Sequence, residues 1–409
     1  MNSLADAATE APDARPFSLR PLMFETFVCS MAVMAFVALA GPIARVIGLA
    51  PWQVGTAVTV AGVAWMLLSR MWGAMSDRRG RRPVLLFGLG AFAISYALFA
   101  LFLDLALRTA MAPTLAFAGL VIGRGLAGVF YAAVPATSAA LVADHVPRER
   151  RAAAMAAIGA SSAAGIMIGP GFAGLLGPVS LSLPLYLIAG LPAIAFAVLW
   201  KVLPRHEHHA PPENAPPRLT DLRLRPALVV AFIAAFSVSV AQITVGFVAL
   251  DRLHLDPGGA AHTAGIALAI VGVALVCAQL VLPRLGWLPE RLIRVGGCTA
   301  AVGFLSVIFA RTPETLWAGY AVAAFGMGWV YPSVSALAAN SVEAHEQGAA
   351  AGSVGAAQGL GIILGPLVGT GIYALDNGAP FALIGAMLLA ASFRRKREPS
   401  CGDGACGCG

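Results

Sequence analysis

Gly73-Ala74-Met75-Ser76-Asp77-Arg78-Arg79-Gly80-Arg81-Arg82-Pro83-Val84-Leu85 joins two long apolar runs. Four arginines and an aspartate in so short a connection resist burial in hydrocarbon. They hold the flanking runs to one face of a bilayer. Gly80 permits a tight reversal of the chain, and Gly73 a close approach by a neighbouring helix.

The chain around this turn fits a membrane solvent. Of 409 residues, 59% are hydrophobic and 11% are charged, with a mean hydropathy of +0.81. Soluble domains carry about 25% charged residues, so a water-soluble chain of this composition could not cover its surface. Net charge is +7. The basic residues sit between apolar runs and form no stripe on a soluble domain, which excludes nucleic acid as a partner.

A bilayer core needs about 20 apolar helical residues to cross it. Twelve runs qualify, at 22–46, 55–75, 83–105, 112–143, 152–176, 180–203, 226–250, 263–285, 292–310, 315–340, 348–374 and 378–393. The last is the shortest. No strand alternation is present, and an open sheet cannot satisfy its backbone in lipid. The expected fold class is therefore an all-α membrane protein, with twelve spanning helices in two six-helix bundles. The first run is too long for a signal-peptide core and lacks a convincing cleavage site.

Lysine and arginine orient the runs. With both termini cytoplasmic, 21 of the 27 fall in inner segments and four (Arg45, Arg108, Arg252, Arg311) in outer ones. Such a bias sets topology. Arg70 and Arg124 lie inside runs. The chain then divides into an N-terminal tail (1–21), a first bundle (22–203), a linker (204–225), a second bundle (226–393) and a cysteine-rich tail (394–409). The linker holds His206, His208 and His209 among several prolines, and reads as a solvated connection.

The halves repeat. Ala153, Ala154, Gly159, Ala160, Gly165, Ile166, Gly169 and Pro170 match Ala349, Ala350, Gly355, Ala356, Gly361, Ile362, Gly365 and Pro366, eight identities in 23 positions at a constant offset of 196. The fifth and eleventh runs thus occupy equivalent places in two copies of one unit. Transporters built from repeats bind substrate near the midplane, between the repeats.

Gly73, Asp77, Arg78, Gly80, Arg81, Arg82 and Leu85 match the inner-loop signature of the major facilitator superfamily, with Met75 in place of its leucine, and the chain resembles that family over about 20–395. The resemblance implies a gating turn. Asp77 would face the N-terminus of the eleventh run, where the helix dipole is positive, and help latch an outward-open state. Asp144 resembles the acidic partner of this latch and would pair with Arg81 or Arg78.

Leu120-x-x-x-Arg124-x-x-Ala127-Gly128 resembles a motif of proton antiporters, with Ala127 replacing glutamine. An intramembrane arginine is expensive and marks a functional position. Arg124 would tune a nearby carboxylate, hold an anionic group of the substrate, or serve structurally by bonding helix carbonyls. Gly165, Gly169, Pro170 and Gly174 resemble the fifth-helix motif of the drug:proton antiporter branch, with Ala173 replacing a glycine. Glycines four apart let helices pack closely in lipid, and Pro170 kinks the helix. Gly361, Gly365 and Pro366 repeat the device. This packing hinge favours export over uptake.

A proton-coupled carrier needs a titratable group whose proton affinity its surroundings tune. Glu25, one turn into the first run, is the clear acidic candidate; snorkelling to the interface or pairing with Arg70 are its other uses. Gln242, Gln279, Tyr331 and Gln358 are further polar candidates for a cavity. Cys401, Cys406 and Cys408 could offer thiolates to a soft metal or metalloid, though their spacing fits no standard zinc site.

The sequence thus points to a non-enzymatic, cofactor-free monomer in the bacterial inner membrane. It would export a small molecule, drug or toxic compound by alternating access, in exchange for protons. Two alternatives remain: export of an anionic or metal(loid)-containing solute, and a membrane sensor or partner-binding protein that transports nothing.

Overall fold

The computed structural model describes residues 18–203, 223–343 and 346–393. The described residues form thirteen helices: α1 (Arg20–Val46), α2 (Pro51–Arg79), α3 (Arg81–Arg108), α4 (Pro113–Tyr131), α5 (Ala133–His145), α6 (Arg148–Leu176), α7 (Leu183–Val202), α8 (Arg225–Asp251), α9 (Pro257–Leu285), α10 (Pro289–Val307), α11 (Pro313–Ala339), α12 (Gln347–Tyr373) and α13 (Ala379–Ser392). They follow the apolar runs closely. Five begin on a proline, at Pro51, Pro113, Pro257, Pro289 and Pro313. Proline suits the first helical position, where its missing N–H costs no hydrogen bond. Asp256 adds a side-chain cap to α9, accepting from the N–H groups of Gly258 and Gly259.

One detail corrects the expectation of one helix per run. The fourth run is two helices, α4 and α5, parted at Ala132. Pro135 has no N–H for the carbonyl of Tyr131, four residues back, and its ring crowds that carbonyl. Among the described residues, ten helical spans are long and apolar enough to cross a membrane, α4 and α5 counting as one. The remaining two, α10 and α13, fall short for different reasons. Glu290, Arg291 and Arg294 lower the hydropathy of α10, and α13 has only 14 residues, about 21 Å of helix. They complete the second bundle by packing on each other, while α10 also packs on α11.

Two bundles result, α1–α7 and α8–α13, and their internal packing repeats. In the first, Gly165 and Gly169 of α6 lie against the backbone of α1 at Phe27 and Met31. In the second, Gly361 and Gly365 of α12 lie against α8 at Phe232, Phe236 and Ser239. A Cβ at Gly165 would come within 2.2 Å of the Phe27 carbonyl oxygen, and one at Gly361 within 2.6 Å of that of Phe232. The repeated G-I-x-x-G-P sequence is thus a repeated helix contact, in which missing side chains let backbones touch.

Candidate functional site: an inter-bundle cavity and its charged surroundings

The turn between α2 and α3 is a single residue. Gly80 caps both helices at φ 95° and ψ 148°, a conformation that only glycine adopts at little cost. Arg81, the first residue of α3, therefore folds back over α2. Its Nη1 donates to Ser76 Oγ at 2.8 Å and to the Asp77 carboxylate, and its Nε donates to Asp144 Oδ2 at 2.9 Å. Asp144 stands near the end of α5, so one guanidinium joins three helices. Of the two arginines expected beside Asp144, Arg81 fills the place; Arg78 is exposed. Asp77 here is ion-paired with Arg81 rather than reserved for the N-terminus of α12. Arg82 turns away and donates to the carbonyl of Trp200 on α7 at 2.8 Å.

The two charges inside the first bundle do not share a site. Glu25 is fully buried. Its Oε2 accepts from Ser138 Oγ of α5 at 3.2 Å and from Thr26 Oγ1 at 3.4 Å, while Oε1 has no partner. Arg70, exposed on α2, is not among its partners. Arg124 is 3% exposed, and its guanidinium lies 4.9 Å from the ring centre of Phe36, a cation–π arrangement. Its Nε and the nearby Tyr96 hydroxyl are both buried without a hydrogen bond, so it bonds no helix carbonyl through Nε. Eleven residues along α1, about 16 Å of rise, separate Glu25 from Phe36.

Sequence reading passed over the hydroxyl groups around Glu25. Ser30 Oγ lies 2.8 Å from Ser162 Oγ of α6 and 3.4 Å from the Tyr131 hydroxyl, and Thr137 is buried beside Ser138. Serine and threonine are common in apolar runs and carry no distinguishing spacing, so only the packing gathers them.

Between the bundles lies a cavity of about 490 Å³. Met34 of α1, Met167 of α6, Val271 of α9, and Phe304 and Met327 of the second bundle give it apolar walls. Gln242, Gln279 and Tyr331 line it as well. Among the described residues, none that lines it carries a charge. Gln358, on α12, is half-buried and lies outside the lining, as do Glu25 and Arg124. Of the six polar candidates for a proton or substrate site, three meet in the cavity and three lie outside its lining. A helix shows a partner only part of its circumference, and spacing in the chain does not fix which part.

The cavity is closed at one end. On α9, Leu268 is buried, Val271 half-buried and Gln279 exposed; on α6, Pro170 is buried and Ala163 and Ala160 exposed. Exposure thus rises toward the arginine-rich turn. At the opposite end the bundles touch through glycines. Gly41 meets Gly246, Gly174 meets Gly265, and Gly55 meets Pro366 and Thr370. Thr59 Oγ1 donates to the carbonyl of Ile363 at 2.8 Å. An ion pair between Arg45 of α1 and Asp251 of α8 caps this end, and the Tyr373 hydroxyl donates to Asp251 Oδ2 at 3.1 Å. The α6 hinge residues accordingly divide: Gly165 and Gly169 pack within their own bundle, and Gly174 packs across to the other.

Among the described residues no three His, Cys, Asp or Glu side chains gather to hold a metal ion. Cys401, Cys406, Cys408 and the linker histidines lie outside the described residues.

A family model described as "Major Facilitator Superfamily" matches residues 22–315 and 287–400. The chain is 30% identical over 342 residues to the class G tetracycline resistance protein of Vibrio anguillarum, covering 80% of this chain and 81% of that one. It is 24% identical over 379 residues to Multidrug resistance protein 1 of Bacillus subtilis (strain 168), covering 90% and 93%. Its fold is similar to a crystal structure of a bacterial homologue of the human lysosomal transporter Spinster, with a TM-score of 0.67, 15% identity, and 91% and 90% of the two chains covered. Apolar helices in two repeated bundles, a glycine-hinged turn with its arginine cluster, and a cavity between the bundles agree with these likenesses: the chain is an integral membrane transporter and belongs to the major facilitator superfamily.

Proposed function

We propose that this transporter exports a small, largely apolar compound in exchange for protons, by alternating access. The observation that carries the reading is the inter-bundle cavity, whose described lining is apolar apart from Gln242, Gln279, Tyr320 and Tyr331 and holds no charged side chain. A few polar groups on apolar walls bind and orient an uncharged or weakly polar ligand. Relatives named for tetracycline and multidrug resistance support export of a drug. An anionic cargo would call for Arg124 in the cavity wall, and Arg124 instead stacks on Phe36 outside the lining.

The lysine and arginine bias makes the arginine-rich end cytoplasmic, in the bacterial inner membrane with both tails inside. The cavity then opens to the cytoplasm and is shut toward the outside. Switching to the outward-open state would part the glycine contacts and the Arg45–Asp251 pair. Ligand and proton need only differ in affinity for the two states to shift their populations. Glu25 is the proton carrier in this reading, since it is the only fully buried acid among the described residues. Its site is separate from the cavity. Coupling runs along α1, which carries Glu25 and also lines the cavity through Met34 and Val37.

Transport of dyes, antibiotics and arsenicals into proteoliposomes under an imposed proton gradient tests the proposal. Wild-type protein should drive uptake of uncharged or weakly polar compounds only while the gradient lasts. Glu25→Gln should lower gradient-driven flux at least tenfold and still bind the compound. Flux of equal rate without a gradient would sink the antiport reading.

A further inference from the structure

Inside the first bundle, α1, α3 and α4 enclose a guanidinium. Arg124 of α4 is 3% exposed, and Tyr96 of α3 is fully buried. Aromatic rings surround them. The guanidinium lies 4.9 Å from the ring centre of Phe36 on α1. Phe36 meets Phe99 of α3 at 5.4 Å between ring centres, and Phe99 meets Tyr96 at 6.3 Å. Gly123 lets α4 close on this cluster, since a Cβ there would come within 2.4 Å of the Phe99 ring. Tyr96 and Arg124 are near enough to act on each other electrostatically. Arg124 Nε and the Tyr96 hydroxyl each have no hydrogen-bond partner among the described residues. The described acids of this bundle are engaged elsewhere. Asp77 and Asp144 hold Arg81, Asp104 holds Arg108 and Ser182, and Glu25 accepts from Ser138 and Thr26.

We propose that Arg124 and Tyr96 hold one small monovalent anion, a halide such as chloride, as a resident counter-ion of the first bundle. The charge requires it. Arginine stays protonated at any physiological pH, and a buried ion without a partner of opposite charge is strongly destabilising. The face of Phe36 attracts the cation but supplies no net negative charge. A water molecule would satisfy the two donors and leave that charge uncompensated. The donors fit as well, because Nε and a hydroxyl both offer hydrogen to an acceptor. The enclosure sets the size. An oxyanion carries several oxygens that each want a donor, and the rings offer none, whereas a halide accepts from any direction. Neither Arg124 nor Tyr96 lines the inter-bundle cavity, so this ion is distinct from the exported compound. Phe36 stands beside Val37 of the cavity wall, so the ion braces the stretch of α1 that the cavity uses.

Equilibrium dialysis of the detergent-purified full chain against radiolabelled chloride tests this, with ionic strength held constant by gluconate. Wild type should hold one chloride per chain, displaced by bromide and not by sulfate. Tyr96→Phe keeps the ring and removes the hydroxyl. It should weaken binding about tenfold, the worth of a hydrogen bond to a charged group. Arg124→Gln should abolish binding. Thermal midpoints give a second readout: chloride should raise that of wild type and leave that of Arg124→Gln unmoved. A cooperative transition in gluconate would show that each variant folds. Absence of saturable chloride in wild type would overturn the proposal and leave water as the partner of the two donors. Undiminished binding by Tyr96→Phe, or saturable binding by folded Arg124→Gln, would place the ion elsewhere and also overturn it. Displacement by sulfate at equal concentration would overturn the assignment to a halide.

Discussion

Arg81 reaches Ser76, Asp77 and Asp144 at once, and its side chain and that of Asp144 are only 10% and 5% exposed. Removing one member of so enclosed a group leaves the others short of hydrogen bonds, a loss of about 1–3 kcal/mol. Asp144→Ala and Arg81→Ala should each lower unfolding stability in mixed micelles by about that amount. The double variant should fall well short of the sum of the two, as partners in one network do; additive losses would show that the pair does not act as a unit. The turn was legible in the sequence because its chemistry is local. Gly80 and the arginines lie within a few residues of one another, and the reversal needs a backbone that glycine supplies. The choice of Arg81 over Arg78 was not legible, since both arginines are long enough to reach α5. The structure decides it by making Arg81 the first residue of α3, directly beyond the reversal.

Among the helices, α6 and α9 meet backbone to backbone. A Cβ at Gly174 would lie 2.6 Å from the Cα of Gly265, and backbone cannot yield there as a flexible side chain could. Gly174→Val should therefore hold the bundles apart at the closed end. A cysteine placed at Ala164, in the cavity wall, reports the result in a background freed of native cysteines. With Gly174 intact, an impermeant maleimide should label it from the arginine-rich side. With Gly174→Val, labelling from the opposite side should rise severalfold. Unchanged sidedness would mean that this contact does not close the cavity. The glycine pattern announced close packing in the sequence, yet it assigned no partner: the first two glycines of α6 serve its own bundle and the third serves the other. Likewise Pro135 was visible in the fourth run, but the division into α4 and α5 follows from the carbonyl that its ring displaces.

Across the whole molecule, Arg45 and Asp251 join the bundles at the closed end. Arg45 is about half exposed, so the pair is worth only about 0.2–1 kcal/mol. That is too little to hold the fold and enough to bias two states of similar energy. Arg45→Asp should shift the population toward the open form and reduce net export several-fold. Adding Asp251→Arg should restore much of it, because the swapped charges still attract. Failure of the swap, with both proteins stable, would assign Arg45 or Asp251 another task.

The sequence by itself determined the solvent, the repeated halves and the arginine bias, because hydropathy and charge act segment by segment and need no partner. It also carried the family resemblance, through a turn whose residues meet locally. The tertiary structure alone decided which polar residues meet. Gln242, Gln279 and Tyr331 share a cavity, while Gln358, Glu25 and Arg124 lie outside its lining. It also decided which end is shut. These outcomes depend on the rotation of each helix about its axis, and that rotation is set by packing against neighbours far away in the chain.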